Sequence, residues 1–520
     1  DASGRIVKAT EPFGAFYLYG YNGNNDLVSV TNPDTKTRSY LYNETAYTAG
    51  ANLPHVLTGI TDENGVRFAT WNYDAKGRAL SSEHAGGVDK YSVTFTTDAS
   101  GNPVSSSVVD PLNATRTYNF QTILGAVKGS GVSQPGGSGC AAASSNATYD
   151  ANGNVASRTD FNGNTTTYTY DLTRNLETSR TEAVGKPEAR TISTTWHPTY
   201  RLPIQITEPG RVTDFTYDAA TGNLLTRKLT DTATGLSRQS TYTYTTTADT
   251  TLPALLKTVD GPRTEVSDIT SYSYYPNGDL KTIANALGHV TQITSYDPHG
   301  RPLTMIDPNA VTTTLTYTPR GWLATRTVSG RTIRYDYDGV GQVFKVTLPD
   351  NSTISYTYDA AHRLTDITDN LLNRIHYTLD PSGNRVKEEV FDANNILTTS
   401  KSRIFDTLNR LWKDIGAYNQ TTVYAYDPNG NLTGVTDPLN RTTTHTYDAL
   451  NRLTQTTDAL SGVSKYGYDP LDQLRSLTDP RNLVTNYTVT ALGDPAQQVS
   501  PDTGNTNRTY DAAGNLKTAT

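Results

Sequence analysis

A motif that returns every 21 residues constrains the fold of this chain more than any other feature. In the C-terminal part, the position that opens the motif advances in steps of 21 residues, through Phe405, Tyr426, Tyr447, Tyr468, Val489 and Tyr510. The chain holds twelve Tyr-Asp pairs, where about three are expected by chance. Such a period is typical of an array of repeated supersecondary units rather than of a set of globular domains.

One repeat, residues 421–441, shows how each unit is built. Its first part alternates aromatic with small residues, the period-2 pattern of a β-strand that carries Tyr424 and Tyr426 on one face. Residues 432–436 form a second short strand. Connections this short join antiparallel strands, so we expect a continuous ribbon of about two dozen hairpins and nearly 50 strands. A ribbon of that length is expected to coil.

The turn between the two strands has a chemistry of its own. Asp427 is expected to cap the turn with its carboxylate, Pro428 presets φ, and Gly430 supplies the residue with positive φ. The other copies fill the position of Gly430 with residues that tolerate positive φ, namely Gly77, Gly153, Gly300, Gly341, Gly514, Asn409, Asn451 and Asp472.

Composition excludes several classes of protein. The apolar fraction is 35% even with 34 Tyr included, which is too lean for a conventional thick core, while the tyrosines and abundant Thr and Val favour strands over disorder. A net charge of −7 without a basic stripe makes nucleic acid an improbable partner. No stretch approaches 18 consecutive apolar residues, so no membrane span is expected.

The pattern Tyr-Asp-x-x-Gly-Asn/Arg-Leu, as in residues 149–155, 296–303 and 426–432, resembles the Rhs/YD-repeat family over nearly the whole chain. The resemblance implies an all-β, spiralling array of β-hairpins of about 21 residues that forms a hollow shell or part of one. The structural repeat motif is then carried by Tyr149, Asp150, Gly153, Tyr170, Asp171, Tyr217, Asp218, Tyr296, Asp297, Gly300, Tyr337, Asp338, Gly341, Tyr358, Asp359, Tyr426, Asp427, Gly430, Tyr447, Asp448, Tyr468, Asp469, Tyr510, Asp511 and Gly514.

Two segments interrupt the array that we assign to residues 1–520. Residues 121–146 are rich in Gly, Ser and Ala and are expected to be a loop insertion, a surface loop more readily than a plug. Residues 245–263 are expected to be an enlarged loop between repeats. Both ends begin or stop within a motif, so we expect the parent protein to continue on both sides.

No catalytic, cofactor or metal site is predicted. The single cysteine, Cys140, excludes a disulfide within the chain and a cysteine-based zinc cluster. The turn that begins at Asp150 imitates a calcium loop, but Val155 and Phe161 occupy the places of the required Gly and Glu. None of the histidines has a second histidine at metal-ligand spacing, and the aspartyl self-cleavage signature of Rhs proteins is not found. We therefore expect no enzymatic activity in the repeats.

Two functions compete. By resemblance to bacterial Rhs polymorphic toxins and the B and C components of Tc toxin complexes, the first is a structural shell that encloses a toxin polypeptide, most simply from the same parent chain. The second, suggested by the teneurins, is cell-surface adhesion or glycan binding, since pairs such as Tyr356 with Tyr358 could stack sugars, although cross-strand packing also explains them. Either function implies a protein that is secreted or exported to the cell surface through a secretion system.

Overall fold

The computed structural model describes residues 1–12, 14–249 and 252–520. These residues form 45 β-strands, and their helical residues are confined to two three-residue 3-10 helices, Thr45–Tyr47 and Ala85–Gly87. The prediction of an all-β array of short hairpins is confirmed.

The strands are numbered in chain order. Strands β1 to β23 are Lys8–Thr10, Phe16–Tyr21, Leu27–Thr31, Thr37–Tyr42, Leu57–Thr61, Arg67–Tyr73, Ala79–His84, Val88–Thr97, Pro103–Val109, Thr115–Ile123, Ala126–Gln134, Ala143–Tyr149, Val155–Thr159, Thr165–Asp171, Leu176–Glu182, Arg190–Trp196, Pro203–Glu208, Arg211–Tyr217, Leu224–Asp231, Ser237–Tyr244, Leu256–Asp260, Thr270–Tyr274 and Leu280–Ala284. Strands β24 to β45 are Val290–Tyr296, Pro302–Ile306, Thr312–Tyr317, Leu323–Val328, Arg331–Tyr337, Val343–Thr347, Thr353–Tyr358, Leu364–Asp369, Arg374–Leu379, Arg385–Phe391, Leu397–Phe405, Leu411–Ile415, Thr421–Tyr426, Leu432–Thr436, Thr442–Tyr447, Leu453–Thr457, Val463–Tyr468, Leu474–Thr478, Val484–Val489, Pro495–Ser500, Gly504–Tyr510 and Leu516–Ala519.

Most hairpins that carry the motif contain a β-bulge at the position of the motif tyrosine. In the pairing of β36 with β37, Ala425 lies opposite Gly434, whereas the next residue, Tyr426, lies opposite Leu432. The register shift arises because the Asp-x-x-Gly turn adds a residue with positive φ on one strand only, which is the geometry of a type I turn followed by a G1 bulge. The repeated turn therefore fixes the register of every hairpin that carries it.

The chain divides into two compact units, each made of two separate stretches of sequence. The first unit comprises residues 1–119 and 293–422, and the second comprises residues 120–292 and 423–520. Within each unit, turns of the earlier stretch contact turns of the later stretch. We call this line of turn-to-turn contacts the seam of the unit.

One sheet face of the first unit carries a continuous run of apolar side chains, which we call its apolar face, although Asp369 and Glu388 also lie on it. Across β28 to β33, consecutive cross-strand pairs place apolar side chains on that face, namely Tyr335, Val346, Ile354, Tyr356, Ile367, Ile375 and Val390. All seven residues are half-buried. The opposite face of the same strands pairs Lys345 with Ser355 and Asp366 with His376. Alternation along each strand therefore gives this part of the sheet two chemically different faces.

Little of the described chain is deeply buried, as the lean composition predicts. Among the buried residues, polar ones outnumber apolar ones, and several belong to turns, such as Asp62 and Asp231, each 2% exposed. Stabilisation therefore depends on backbone pairing, cross-strand contacts and satisfied turns more than on a thick core.

The expectation of a loop over residues 121–146 is wrong for most of that segment. Strand β10 ends at Ile123, β11 and β12 take up most of the remainder, and Gly131 lies opposite Asn146 in their pairing. Glycine and serine have low strand propensity, but a neighbouring strand supplies backbone partners whatever the side chain is. Only residues 135–142 connect the two strands.

The second interruption, residues 245–263, contains β21 over Leu256–Asp260. The connection before it is closed at its base, because the Thr245 amide donates to the carbonyl of Leu255 at 2.7 Å and the Ala254 amide donates to the carbonyl of Thr245 at 2.9 Å. Residues 250 and 251 lie outside the described residues. The enlarged loop thus stays a prediction for residues 245–255.

Candidate functional site

The repeated turn is the most regular arrangement of polar groups in the molecule. At residues 427–431, the Gly430 amide donates to the Asp427 carbonyl at 3.1 Å, and the Asn431 amide donates to Asp427 Oδ1 at 2.8 Å. Asn431 Nδ2 also donates to Asp427 Oδ2 at 2.8 Å. The carboxylate thus satisfies groups that the turn leaves without a ladder partner.

The other motif aspartates repeat this geometry. Each accepts at least one amide from its own turn within 3.1 Å, and they are Asp150, Asp171, Asp218, Asp297, Asp338, Asp359, Asp448, Asp469 and Asp511. The hydrogen bond from Asn154 lowers the pKa of Asp150, and that from Asn515 lowers the pKa of Asp511. Since a lowered pKa favours the ionised form, these two carboxylates stabilise the fold above their ordinary pKa of about 3.9 and lose that contribution as the pH falls through the lowered value.

The motif glycines all have positive φ, at Gly153 (77°), Gly300 (75°), Gly341 (96°), Gly430 (94°) and Gly514 (89°). In other repeats the position of the motif glycine is occupied by Asn409, Asn451, Asp472 or His362. These four residues also have positive φ, which is 65° at His362. The positive φ required at this position of the turn therefore determines which residues occur there.

Each motif tyrosine occupies one of the last two positions of its strand, at Tyr149, Tyr170, Tyr217, Tyr296, Tyr337, Tyr358, Tyr426, Tyr447, Tyr468 and Tyr510. Several of their hydroxyls donate to a backbone carbonyl of the preceding repeat. Tyr447 Oη donates to the carbonyl of Leu432 at 2.9 Å, and Tyr358 Oη donates to that of Val343 at 2.9 Å. The same bond is made by Tyr149, Tyr217, Tyr337 and Tyr510.

This hydroxyl bond was missed in the sequence, although the composition carries its signal. Tyr and Phe fit the alternating pattern of a β-strand equally well, yet the chain has 34 Tyr and only 10 Phe. A half-buried hydroxyl needs a partner, and the carbonyl at the start of the preceding strand provides it. Burial, followed by the nearby charge of Asp427, raises the pKa of Tyr447, which keeps its hydroxyl a donor.

We predict that Tyr447→Phe lowers the free energy of unfolding of its hairpin by about 1 kcal/mol, because the carbonyl of Leu432 loses its donor. Hydrogen exchange of residues 432–457 measures the effect. Tyr418→Phe is the control, since that side chain is 91% exposed and its loss is expected to change nothing. Equal exchange in both variants would contradict the assignment.

The seam of the second unit contains a reciprocal pair of turns. Asn162 Nδ2 donates to Asp427 Oδ2 at 2.9 Å, and Asn429 Nδ2 donates to Asp160 Oδ2 at 2.8 Å. Both turns have the sequence Asp-x-Asn-Gly-Asn, so each gives the other the same amide and accepts with the same carboxylate. Two turns of the same sequence pattern, about 270 positions apart, therefore bind each other through the same pair of side-chain groups.

An arginine makes the densest contact of the same seam. Arg238 Nη2 lies 2.6 Å from Asp494 Oδ2, and the guanidinium also donates to the carbonyls of Leu492 and Ala512 at 3.1 Å each. Nearby, Asp231 Oδ2 accepts the Ala491 amide at 2.8 Å. These contacts satisfy turn groups of the later stretch with side chains of the earlier one.

The connection 135–142 also belongs to this seam. Ser138 Oγ donates to the carbonyl of Tyr424 at 2.6 Å, the Tyr426 amide donates to the carbonyl of Ser138 at 2.8 Å, and Gln134 Nε2 donates to the carbonyl of Pro428 at 2.7 Å. Cys140 lies half-buried in the same connection. Within the second unit, the segment thus bridges the two stretches of sequence.

The motif residues are not gathered into one pocket, because each repeat keeps its own tyrosine, aspartate and glycine. Among the described residues, no group of three or more His, Cys, Asp or Glu side chains is arranged to hold a metal ion. Neither 3-10 helix is long or apolar enough to cross a membrane. The motif is a repeated structural element, and its polar groups form hydrogen bonds within the turns and across the seams.

Known proteins share both the repeat and the fold. The family described as RHS Repeat matches residues 1–37, 149–187 and 426–463, and the family described as Teneurin YD-shell matches residues 213–378. The crystal structure of TcdB2-TccC3 matches 99% of this chain at 14% identity with a TM-score of 0.58. The Photorhabdus luminescens Tc holotoxin pore matches all of it at 13% identity with a TM-score of 0.49. This chain spans 37% and 30% of those two chains, respectively.

Proposed function

We propose that this chain, which is built of Rhs/YD repeats, is a length of the wall of a toxin-complex shell that encloses a polypeptide cargo. The family matches confirm the resemblance seen in the motif, and TcdB2-TccC3 shares the fold. The proposed role is structural rather than catalytic, and the cargo is a toxin domain of the parent protein. We also propose that the parent protein is secreted or exported to the cell surface.

The observation that carries the proposal is the apolar face of the first unit, defined above by seven residues of β28 to β33. Phe344 belongs to the same face, since it lies two residues before Val346 on β29, and it is 43% exposed. Apolar patches left open to solvent are uncommon on proteins that have no partner. A face of tyrosine, isoleucine and valine suits an extended or partly unfolded polypeptide, which exposes apolar side chains at irregular spacing.

Adhesion through bound sugars is the second candidate, and three of the six exposed aromatic side chains do not favour it. Phe16, Phe95 and Trp412 are between 36% and 40% exposed. Each of the three rings has the cationic group of a lysine or arginine over it, at 4.0 to 5.5 Å from the ring centroid. A ring covered by a cation offers less free surface for stacking a sugar. A variable toxin domain encoded after this chain would support encapsulation, and adhesive modules encoded before it would support adhesion.

We predict that the chain binds a permanently unfolded polypeptide, such as reduced and carboxymethylated α-lactalbumin, and that Phe344→Ser weakens binding roughly fivefold. Fluorescence anisotropy of the labelled probe measures the dissociation constant. Thr357→Ser, on the opposite face of β30, is the matched control and is expected to leave that constant within about twofold. Absence of binding, or equal loss in both variants, would overturn the proposed role of the apolar face.

A further inference from the structure

A histidine and a buried aspartate meet across the seam of the first unit. His362 Nε2 lies 2.8 Å from Asp62 Oδ2, although the two residues are 300 positions apart in sequence. The Asp62 side chain is 1% exposed, and its Oδ1 accepts the amides of Asn64 and Val66 at 2.9 Å each. The turn therefore holds the carboxylate in place with Oδ2 directed at the imidazole.

An aromatic stack supports this contact. The Phe68 ring lies 4.2 Å from the His362 ring at an interplanar angle of 13°, and 4.6 Å from the His84 ring at 22°. His84 Nδ1 in turn lies 3.4 Å from Asp89 Oδ2. A protonated imidazole is attracted to the face of a phenyl ring more strongly than a neutral one, so protonation of His362 favours its stack on Phe68.

A second histidine–carboxylate pair lies on the same seam. His299 Nε2 is 3.5 Å from Glu11 Oε2, and the two side chains are 25% and 17% exposed. Arg301 Nη2 lies 3.4 Å from His299 Nδ1, which must accept because a guanidinium only donates, and Arg301 Nε is bound to Asp297 at 2.6 Å. A proton on His299 Nδ1 would face this cation, so the pair does not share the response proposed below for His362. Tyr17 also faces Glu11, and burial followed by that carboxylate raises the pKa of its phenol, which stays neutral.

The other charged groups beside His362 are already paired. Arg363 lies 2.7 Å from Asp359, and Glu63 lies 2.8 Å from Arg320 and 3.0 Å from Arg38. Carboxylates and guanidinium groups ordinarily keep their charge between about pH 5.5 and 7.5, whereas imidazole changes its charge in that range. Of the side-chain types at this seam, imidazole is therefore the one whose charge depends on pH in that range.

We propose that the pair His362–Asp62 makes the seam of the first unit an acid-strengthened contact. A protonated imidazole forms an ion pair with the carboxylate, whereas a neutral one retains at most a hydrogen bond. Protonation increases as the pH falls, so the seam is tighter at about pH 5.5 than at about pH 7.5. The ion pairs that cross the seam of the second unit join arginine to aspartate, as in Arg190–Asp472, Arg238–Asp494 and Arg263–Asp511.

Hydrogen exchange of the whole chain tests the proposal. After correction for the intrinsic pH dependence of exchange, amides of residues 62–66 and 359–363 are expected to exchange roughly fivefold faster at pH 7.5 than at pH 5.5. Amides of the reciprocal turns 160–164 and 427–431 are expected to keep the same corrected rate. An equal response in both seams, or no response in the first, would overturn the proposal even without any variant.

A variant assigns the response to His362. In His362→Gln the glutamine side chain keeps a hydrogen-bond donor but cannot carry the charge, so the pH response of residues 62–66 is expected to disappear. His55→Gln is the matched control, because His55 Nδ1 lies 2.7 Å from Asp26 Oδ1 but both residues belong to the earlier stretch of the unit. The control is expected to respond like the natural chain. Persistence of the response in His362→Gln would overturn the proposal.

Discussion

Replacing Arg238 by alanine is expected to lower the free energy of unfolding of the second unit by about 3 kcal/mol. The guanidinium is 18% exposed and lies 2.6 Å from the carboxylate of Asp494, which is 11% exposed. Removing it leaves a nearly buried charge unpaired and takes a donor from two carbonyls of the later stretch, a loss that water cannot fully replace. Urea unfolding, read by hydrogen exchange of residues 490–515, measures the effect.

Arg441→Ala is the control for this prediction. Arg441 is 60% exposed and lies 2.6 Å from Asp437, four residues before it. An exposed pair of this kind is expected to contribute less than about 0.5 kcal/mol, because water solvates both charges when the pair opens. Arg238→Lys should fall between the two, since it keeps the charge but not the three-way hydrogen bonding. Equal losses in Arg238→Ala and Arg441→Ala would show that the seam contributes little to stability.

The turns were predictable because their causes lie within five residues. Asp427 precedes its turn, Gly430 supplies the positive φ, and both the capping bonds and the register shift at Tyr426 follow from that order. Local chemistry of this kind depends little on the rest of the fold. The strands between the turns were predictable for the same reason, since alternation and turn spacing leave few other pairings.

The seams could not be predicted, because the residues that meet there are 250 to 300 positions apart. Asn162 and Asp427 look like ordinary turn residues, and only the fold reveals that they recognise each other. The same holds for His362, which occupies a turn slot that usually holds glycine or asparagine, and for Asp62. With no regular period relating the two stretches, the motif gives no rule for which turns will pair.

Composition misled the prediction for residues 121–146. A Gly, Ser and Ala content that is typical of loops is compatible with a strand when neighbours supply the hydrogen bonds, as β12 does for β11. Gly131 shows why the small residue suits its place, since a Cβ there would lie 2.7 Å from the carbonyl oxygen of Ser145. Close backbone approach, rather than flexibility, explains this glycine.

Gly430→Val is expected to destabilise its own hairpin by about 1 to 2 kcal/mol and to leave distant repeats intact. Gly430 has a φ of 94°, and a Cβ built there meets nothing within 4 Å, so the cost is conformational strain rather than a clash. Hydrogen exchange is expected to increase over residues 421–441. It should also increase over residues 160–164, because Asn429 precedes the altered residue and donates to Asp160.

Gly430→Asn separates backbone strain from loss of glycine as such. Asparagine occupies the same slot at Asn409 and Asn451, with φ of 64° and 60°, so this variant is expected to cost less than half as much as valine. Residues 504–519, a hairpin of the same unit, should keep their protection in both variants, since repeat arrays transmit strain mainly to neighbours. Cooperative loss of structure throughout the second unit after Gly430→Val would show instead that the seam couples its two stretches into one folding unit, and the reciprocal contact between turns 160–164 and 427–431 would then be the element that transmits the strain.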